Sequence, residues 1–211
     1  IDKNKIIQLA MNGKGSPIYT NMSPVMSKFL WNAPEEKVDP QKAKQILEEK
    51  KLLPMEFTLK VPNSSKIYLD TAQSIREQLK DIGITVNLEV IEWATWLSDV
   101  YTNRKYVASL AGLAGKMEPD AILRRYTSTY AKNFTNFNNA KYDALIEEAK
   151  RTSNEAKQIE NYKEAQKILA EEQAAIFLMD PNTVIATEKG IEGFQFYPLP
   201  YLNFAKLYFK K

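Results

Sequence analysis

The sequence predicts an α/β fold in which a mostly parallel β-sheet is flanked by helices. Apolar residues recur at every second position over 56–61 and again over 84–90, as in strands, and at helical spacing over 66–81 between them. A third apolar segment, 106–111, follows a short helical pattern. Strands that alternate with helices become parallel neighbours through right-handed crossovers, so we expect these three strands to form one sheet.

The elements before this sheet are predicted from their caps. A first helix is expected from the opening residues to Gly13, because glycine readily adopts the left-handed conformation of a C-cap. Only Asp2 precedes it as a capping residue, so we expect the chain to be a piece of a longer polypeptide. An irregular stretch over 15–38 follows, and Asp39-Pro40 then begins the next helix.

The second half of the chain is predicted to be mainly helical. One helix is capped by Asn138 or Asn139, and a capping box over 152–155 begins another. The continuous apolar run 174–179 predicts a buried strand. The aromatic tail, 190–211, contains prolines and lacks a clean amphipathic pattern, so we expect it to pack onto the rest of the chain.

Composition excludes several classes of site. The 211 residues carry 29 basic and 26 acidic side chains in an interspersed pattern, which does not indicate a nucleic-acid interface. No apolar run approaches the length of a membrane span. Cys and His are both absent, which excludes thiolate or imidazole catalysis and a Cys/His zinc site in this chain. Carboxylates, Lys, Tyr and Ser/Thr remain.

The best candidate for a functional site is the loop that leaves the third predicted strand at Gly112 and enters a helix. Open α/β sheets bind ligands at this edge, and glycines allow a close approach of the backbone. The alternative, equally supported by the sequence, is an ordinary loop in which Glu118 or Asp120 caps the helix. The residues predicted to contact a ligand are Gly115, Lys116, Met117, Glu118, Asp120 and Arg124.

Neighbouring candidates are better explained by structural roles. Arg124 and Arg125 point about 100° apart on a helix, so we expect at most one of them to make a bidentate hydrogen bond to a ligand carboxylate. Trp93 and Trp96 could stack on a ligand, but their helical spacing beside other apolar residues favours packing in the core. The adjacent pairs of glutamates lie among lysines and are typical of solvated helix faces.

Five motifs along the chain occur in a familiar order and spacing. They are Asp39-Pro40-x-Lys42-Ala43-x-x-Ile46-Leu47, Ala72-x-x-Ile75-x-x-Gln78-Leu79-Lys80-Asp81-Ile82-Gly83-Ile84, Glu118-Pro119-Asp120, Asn133-x-x-x-Phe137-Asn138-x-x-x-x-Asp143-x-Leu145-Ile146-x-x-Ala149 and Ile191-x-Gly193-Phe194. Together with the opening helix, this order resembles the family 5 solute-binding proteins of oligopeptide, dipeptide and nickel ABC importers.

The resemblance implies a two-lobed, periplasmic-binding-protein-like fold that binds its ligand in the cleft between the lobes, without catalysis or a cofactor. Residues 1–211 would be the C-terminal lobe with the C-terminal tail, and the N-terminal lobe would be absent from this chain. The implied partners are a small peptide or peptide-like ligand, an ABC permease and the missing N-terminal lobe, and a monomer is expected. The implied location is extracytoplasmic, either in the periplasm or on the outer face of the membrane as a lipoprotein.

The candidate loop departs from the family pattern. Peptide binders of this family commonly place an acidic residue before the Asp-Pro motif, where it pairs with the amino group of the peptide. Lys116 stands nearest to that position here, or Glu118 if the gap in the alignment is placed differently. A lysine would repel an ammonium group and favour a carboxylate. Leu113 replaces a frequent tryptophan, and the histidine that some nickel binders use near Asn133 is missing.

Two other functions stay open on sequence grounds. One is an interaction or sensor module that reuses the same lobe, which an attached DNA-binding or signalling domain would distinguish from a transport protein. The other is an enzyme domain that works with carboxylates and lysine, although the sequence contains no clustered catalytic pair.

Overall fold

The computed structural model describes residues 1–35, 37–197 and 202–210. The helices are α1 (Lys3–Met11), α2 (Pro40–Glu49), α3 (Lys66–Lys80), α4 (Trp93–Trp96), α5 (Pro119–Leu123), α6 (Ala140–Arg151) and α7 (Glu155–Glu171). The strands are β1 (Gly15–Pro17), β2 (Met55–Pro62), β3 (Ile84–Ile91), β4 (Ala108–Ser109), β5 (Met179–Pro181), β6 (Ile191–Glu192) and β7 (Tyr208–Phe209). Among the described helices, none combines the length and apolar character needed to cross a bilayer.

The predicted parallel sheet is confirmed, with strand order β3-β2-β4. Strands β2 and β3 pair in parallel along their whole length, and α3 connects them. The Ser65 hydroxyl caps the start of α3, and Gly83 takes a positive φ where the chain turns into β3. Apolar residues of α3, β2 and β3 form one core cluster, whose buried members are Leu59, Val61, Ala72, Ile82, Ile84 and Val86.

The third strand is shorter than the sequence predicts. Only Ala108 and Ser109 pair with β2, whereas the prediction covered 106–111. Val107 is 79% exposed, and the Tyr106 hydroxyl donates to the Phe134 carbonyl oxygen. Tyr106 and Val107 are thus engaged elsewhere or exposed, and pairing with β2 begins only at Ala108.

The predicted helices of the second half are confirmed, and they build a second core. The Asn139 side chain caps α6 by accepting a hydrogen bond from the Tyr142 amide. The predicted capping box before α7 is wrong, because Asn154 is the cap and accepts from the Lys157 amide. The buried members of this second core are Met22, Leu123, Tyr126, Tyr142, Ile146, Ala149, Tyr162, Ala165, Ile168 and Leu169. That 1–211 is one lobe without an internal boundary stays a prediction.

The predicted strand over 174–179 is wrong. The Ala174 amide donates to the Leu169 carbonyl oxygen and so completes the end of α7 instead of a sheet. Ala175 and Phe177 pack against the helical core as part of an irregular connection. The strand begins later, as β5, which pairs antiparallel with β1. An apolar run predicts burial, and here burial comes without a strand.

The tail forms a small antiparallel pair in which β6 lies beside β7. We expected the tail to pack onto the rest of the chain. Instead, four of its aromatic side chains are exposed: Phe196, Phe204, Tyr208 and Phe209. Part of that prediction, at 198–201 and 211, lies outside the described residues.

Candidate functional site

The carboxyl ends of three parallel strands define one edge of the sheet. There β2 leads into α3, β3 leads into α4, and β4 leads into the predicted ligand loop. The loop runs close to the start of α3: a side chain at Gly112 would place its Cβ 2.7 Å from the Tyr68 hydroxyl oxygen. A larger residue at 112 would therefore require the Tyr68 side chain to move, so Gly112 allows a close approach of the loop to that side chain.

Beyond Gly112 the loop is open to solvent. Gly115, Lys116, Met117 and Glu118 are all exposed, and a Cβ added at Gly115 would meet no atom within 4 Å. In the described part of the chain Lys116 has no hydrogen-bond or ion-pair partner, so its ammonium group is available. Glu118 stands at the N-cap position of α5 but makes no capping hydrogen bond, so the structure does not favour the capping alternative.

Asp120 and Arg124 form a loose pair on α5 and the turn that follows it. The Arg124 Nη1 atom lies 3.7 Å from Asp120 Oδ2, and the Arg124 side chain is 52% exposed. The guanidinium carbon also lies 6.0 Å from the centre of the Tyr130 ring. Within the described residues the buried Asp120 Oδ1 atom accepts no hydrogen bond. Because the distance between Arg124 and Asp120 is long and the arginine side chain is half exposed, this ion pair is weak. Arg124 can therefore reach a ligand.

The neighbouring arginine has a different role. Arg125 is half-buried and turns back to the loop, where its Nη2 atom donates to the Ala114 carbonyl oxygen at 3.1 Å. The two adjacent arginines thus diverge as expected from helical geometry. The bond from Arg125 to the loop could not be predicted from the sequence, because it depends on the path of the backbone.

A pair of tryptophans extends the site along the same edge. Their rings are parallel within 2°, with centroids 5.0 Å apart. The core prediction is confirmed for Trp96, which is 2% exposed, and wrong for Trp93, which is 40% exposed. The position of Trp93, two residues after β3 ends, is the signal that could have identified it, because that edge is where ligands bind.

Charges from the loop reach the helical core. Burial raises the pKa of Tyr162, and the negative charges of Asp120 and Glu118 raise it further. Burial also raises the pKa of Tyr126 to about 12, against the opposing charge of Arg125. In the described part of the chain, no cluster of three or more carboxylates could hold a metal ion. The arrangement offers exposed cations, an apolar side chain and an aromatic face to a ligand.

Comparison with known proteins gives the chain a family. The model of bacterial extracellular solute-binding proteins, family 5, middle region, matches residues 1–134. The oligopeptide-binding protein AppA of Bacillus subtilis is 28% identical over 220 residues, which cover 94% of this chain and 40% of AppA. A dipeptide-binding protein of Pseudomonas aeruginosa is 26% identical over 207 residues, covering 94% of this chain and 39% of that protein.

Solved structures of substrate-binding proteins have the same fold as this chain. AppA of Bacillus subtilis in complex with a nonapeptide matches all of this chain with a TM-score of 0.82 at 27% identity, over 46% of its own length. The ABC transporter substrate-binding protein CtaP of Listeria monocytogenes matches all of this chain with a TM-score of 0.88 at 23% identity, over 45% of its length, which supports the fold alone. The chain spans about 40% of the length of the curated relatives it matches. It belongs to family 5 of the bacterial extracellular solute-binding proteins.

Proposed function

We propose that this chain is one lobe of the substrate-binding component of an ABC importer, which captures a peptide or peptide-like solute and delivers it to a membrane permease. The observation that supports this function is the open loop at the carboxyl edge of the sheet, where Lys116 and Met117 are exposed. The relatives named above are oligopeptide- and dipeptide-binding proteins. We infer that this chain likewise binds its substrate without transforming it, and that it works outside the cytoplasm as a monomer.

The loop supplies the polar contacts to the ligand. The unpaired ammonium group of Lys116 would attract a peptide carboxylate. Arg124, held only loosely by Asp120, is a second exposed cation on the turn after α5. Glu118 is the nearest exposed acid and would serve a ligand ammonium group. Met117 and Gly115 would let side chain and backbone follow the ligand surface.

A second lobe is needed to complete the site. Ligand sites bury most of the surface of their ligand, whereas the loop residues are exposed on the present chain. We infer that a peptide first contacts this edge and that hinge closure of an N-terminal lobe then covers it. The permease would recognise the closed form, because closure changes the shape of the surface around the cleft.

Isothermal titration of the full-length protein with short peptides tests this function. We expect micromolar or tighter binding of at least one peptide class. Because Lys116 and Arg124 favour a carboxylate, amidation of the peptide C-terminus should weaken binding more than acetylation of its N-terminus. No binding of any peptide, together with clear binding of a sugar or a metal chelate, would overturn the proposal.

A further inference from the structure

We propose that the Ser109 hydroxyl positions the Trp93–Trp96 pair as a rigid stacking surface for an aromatic side chain of the bound peptide. This inference rests on the proposed function and names a class of substrate within it. Ser109 itself contacts no ligand in this proposal. It acts through Trp96, and Trp96 acts through Trp93.

The hydroxyl of Ser109 joins a side chain of α4 to the backbone of β2. It accepts a hydrogen bond from Trp96 Nε1 at 2.9 Å and donates to the Lys60 carbonyl oxygen at 2.9 Å. A serine hydroxyl has one donor and can accept as well, so this arrangement uses both capacities. Trp96 follows β3, Lys60 belongs to β2 and Ser109 belongs to β4. The indole of Trp96 is therefore hydrogen-bonded to β4 and, through the Ser109 hydroxyl, linked to the backbone of the central strand β2.

Two further rings confine Trp96. The Tyr101 ring lies 6.2 Å from it, tilted by 26°. The Phe134 ring meets it nearly edge-on, with centroids 5.7 Å apart. Together with the hydrogen bond to Ser109, these contacts fix the plane of the Trp96 indole.

The fixed plane of Trp96 sets that of Trp93. The two planes are within 2° of each other, and a centroid distance of 5.0 Å corresponds to an offset stack. One face of Trp93 is thus covered, while the residue as a whole stays 40% exposed at the ligand edge. A flat aromatic surface that is already ordered loses little freedom when a second ring stacks on it. The interaction free energy of an aromatic pair exceeds what its buried apolar area alone would give. Trp93 should therefore bind Phe or Tyr in preference to Leu by about 3- to 10-fold.

The test compares affinities of the full-length protein for peptides that differ only by Phe or Leu, scanned through each position. We expect the wild-type protein to prefer Phe at one position. Ser109→Ala should reduce that preference at least threefold, while the affinity for the Leu peptide changes little. Ser109→Thr keeps the hydroxyl and should restore the preference. Ser98→Ala is the matched control, because within the described residues the Ser98 hydroxyl bonds to its local neighbours alone, Thr95 and Asp99.

A spectroscopic measurement separates positioning from general destabilisation. Two stacked indoles give an exciton couplet in circular dichroism, which Ser109→Ala should weaken and Trp93→Leu should abolish. Trp96→Phe keeps a ring but loses the N–H donor, and should lower the preference for Phe as Ser109→Ala does. If the wild-type protein binds no peptide, the proposed function fails. If peptides bind but Ser109→Ala leaves both the Phe-to-Leu ratio and the couplet unchanged, this inference alone is overturned.

Discussion

Arg125 donates from Nη2 to the carbonyl oxygen of Ala114 at 3.1 Å, a bond that joins the turn after α5 to the middle of the ligand loop. Ala114 lies between Gly112 and Gly115, and glycines leave a backbone free to adopt many conformations. The arginine therefore selects one loop conformation from several. Lys116 lies two residues beyond the bonded carbonyl, so its placement depends on this contact.

Arg125→Ala should weaken peptide binding by the full-length protein about 3- to 10-fold, because the loop would have to be ordered on binding. The free energy of unfolding should change by less than about 1 kcal/mol, as expected for a partly exposed hydrogen bond. Isothermal titration and urea unfolding measure the two effects. Arg151→Ala is the control, since that side chain is mostly exposed on α6. Affinity within twofold of wild type would mean that the loop keeps its shape without Arg125.

Lys116→Glu should reverse the terminal preference of the protein. The change replaces a cation by an anion at the loop, so it should favour peptides with a free amino group and an amidated C-terminus. We expect a shift of about 10-fold in the ratio of affinities for amidated and acetylated peptides, equal to about 1.4 kcal/mol. Lys44→Glu, on the exposed face of α2, is a control of equal charge change. An unchanged ratio in Lys116→Glu would contradict the assigned role.

The present 211-residue chain by itself should bind peptides at least about 100-fold more weakly than the full-length protein. The loop contacts only one side of a ligand, and desolvation of the other side requires the second lobe. Titration of both forms with the same peptide measures the difference, with circular dichroism as a check that the chain is folded. Micromolar or tighter binding by this chain would contradict both the prediction and the need for closure.

The segments β2, α3 and β3 could be predicted because their information is local. Alternating apolar residues, the Ser65 cap and Gly83 all lie within the segments they define. The run 174–179 could not be assigned, since the same apolar pattern is satisfied by packing against α7. A sheet needs a partner strand, and the sequence does not say where that partner lies.

That the loop forms the ligand site stays a prediction, but its place in the fold could be predicted from the sequence. The loop does leave the carboxyl end of the third strand and enter a helix, as the pattern indicated. The exposure of Trp93 depends on how Trp96 is held by Ser109, and the bond from Arg125 depends on the fold of the loop. Both contacts join residues more than ten positions apart, and their formation depends on backbone geometry. The periodicity of apolar residues therefore does not predict them.

Asn133 is a buried side chain that closes the loop before α6. Its Nδ2 atom donates to the carbonyl oxygens of Thr127 at 3.1 Å and Phe137 at 2.8 Å, and its Oδ1 atom accepts from Thr135 Oγ1 at 2.8 Å. Asn133→Asp would bring a carboxylate against carbonyl oxygens in a buried site. We expect it to lower the free energy of unfolding by about 2–4 kcal/mol, measured by urea unfolding at neutral pH.

The matched control for this change is Asn136→Asp. Asn136 is exposed and has a positive φ, a conformation that Asn and Asp both tolerate. It should alter stability by less than about 0.5 kcal/mol. Equal effects of the two substitutions would show that the hydrogen bonds of Asn133 contribute nothing specific.

The buried phenol of Tyr126 should make the protein less stable at alkaline pH. Burial raises the pKa of Tyr126 to about 12, and the charge of Arg125 opposes this only in part. The phenol of an unfolded chain has a pKa of about 10. Above that pH the unfolded state releases a proton that the folded state retains, so the contribution of Tyr126 is fully present below about pH 10 and is lost by about pH 12. The loss should amount to about 2–3 kcal/mol, from two pKa units at about 1.4 kcal/mol each.

Tyr126→Phe removes this titration while keeping the ring in the core. Its free energy of unfolding should therefore fall less steeply than that of the wild type between about pH 10 and pH 12. Ile168→Val, a core substitution without an ionisable group, should lower stability at every pH without changing the slope. Burial raises the pKa of Tyr142 as well, and the charge of an ionised Tyr126 raises it further, so Tyr126→Phe also removes this smaller coupled contribution. Parallel curves for wild type and Tyr126→Phe would mean that the phenol of Tyr126 reaches water in the folded state.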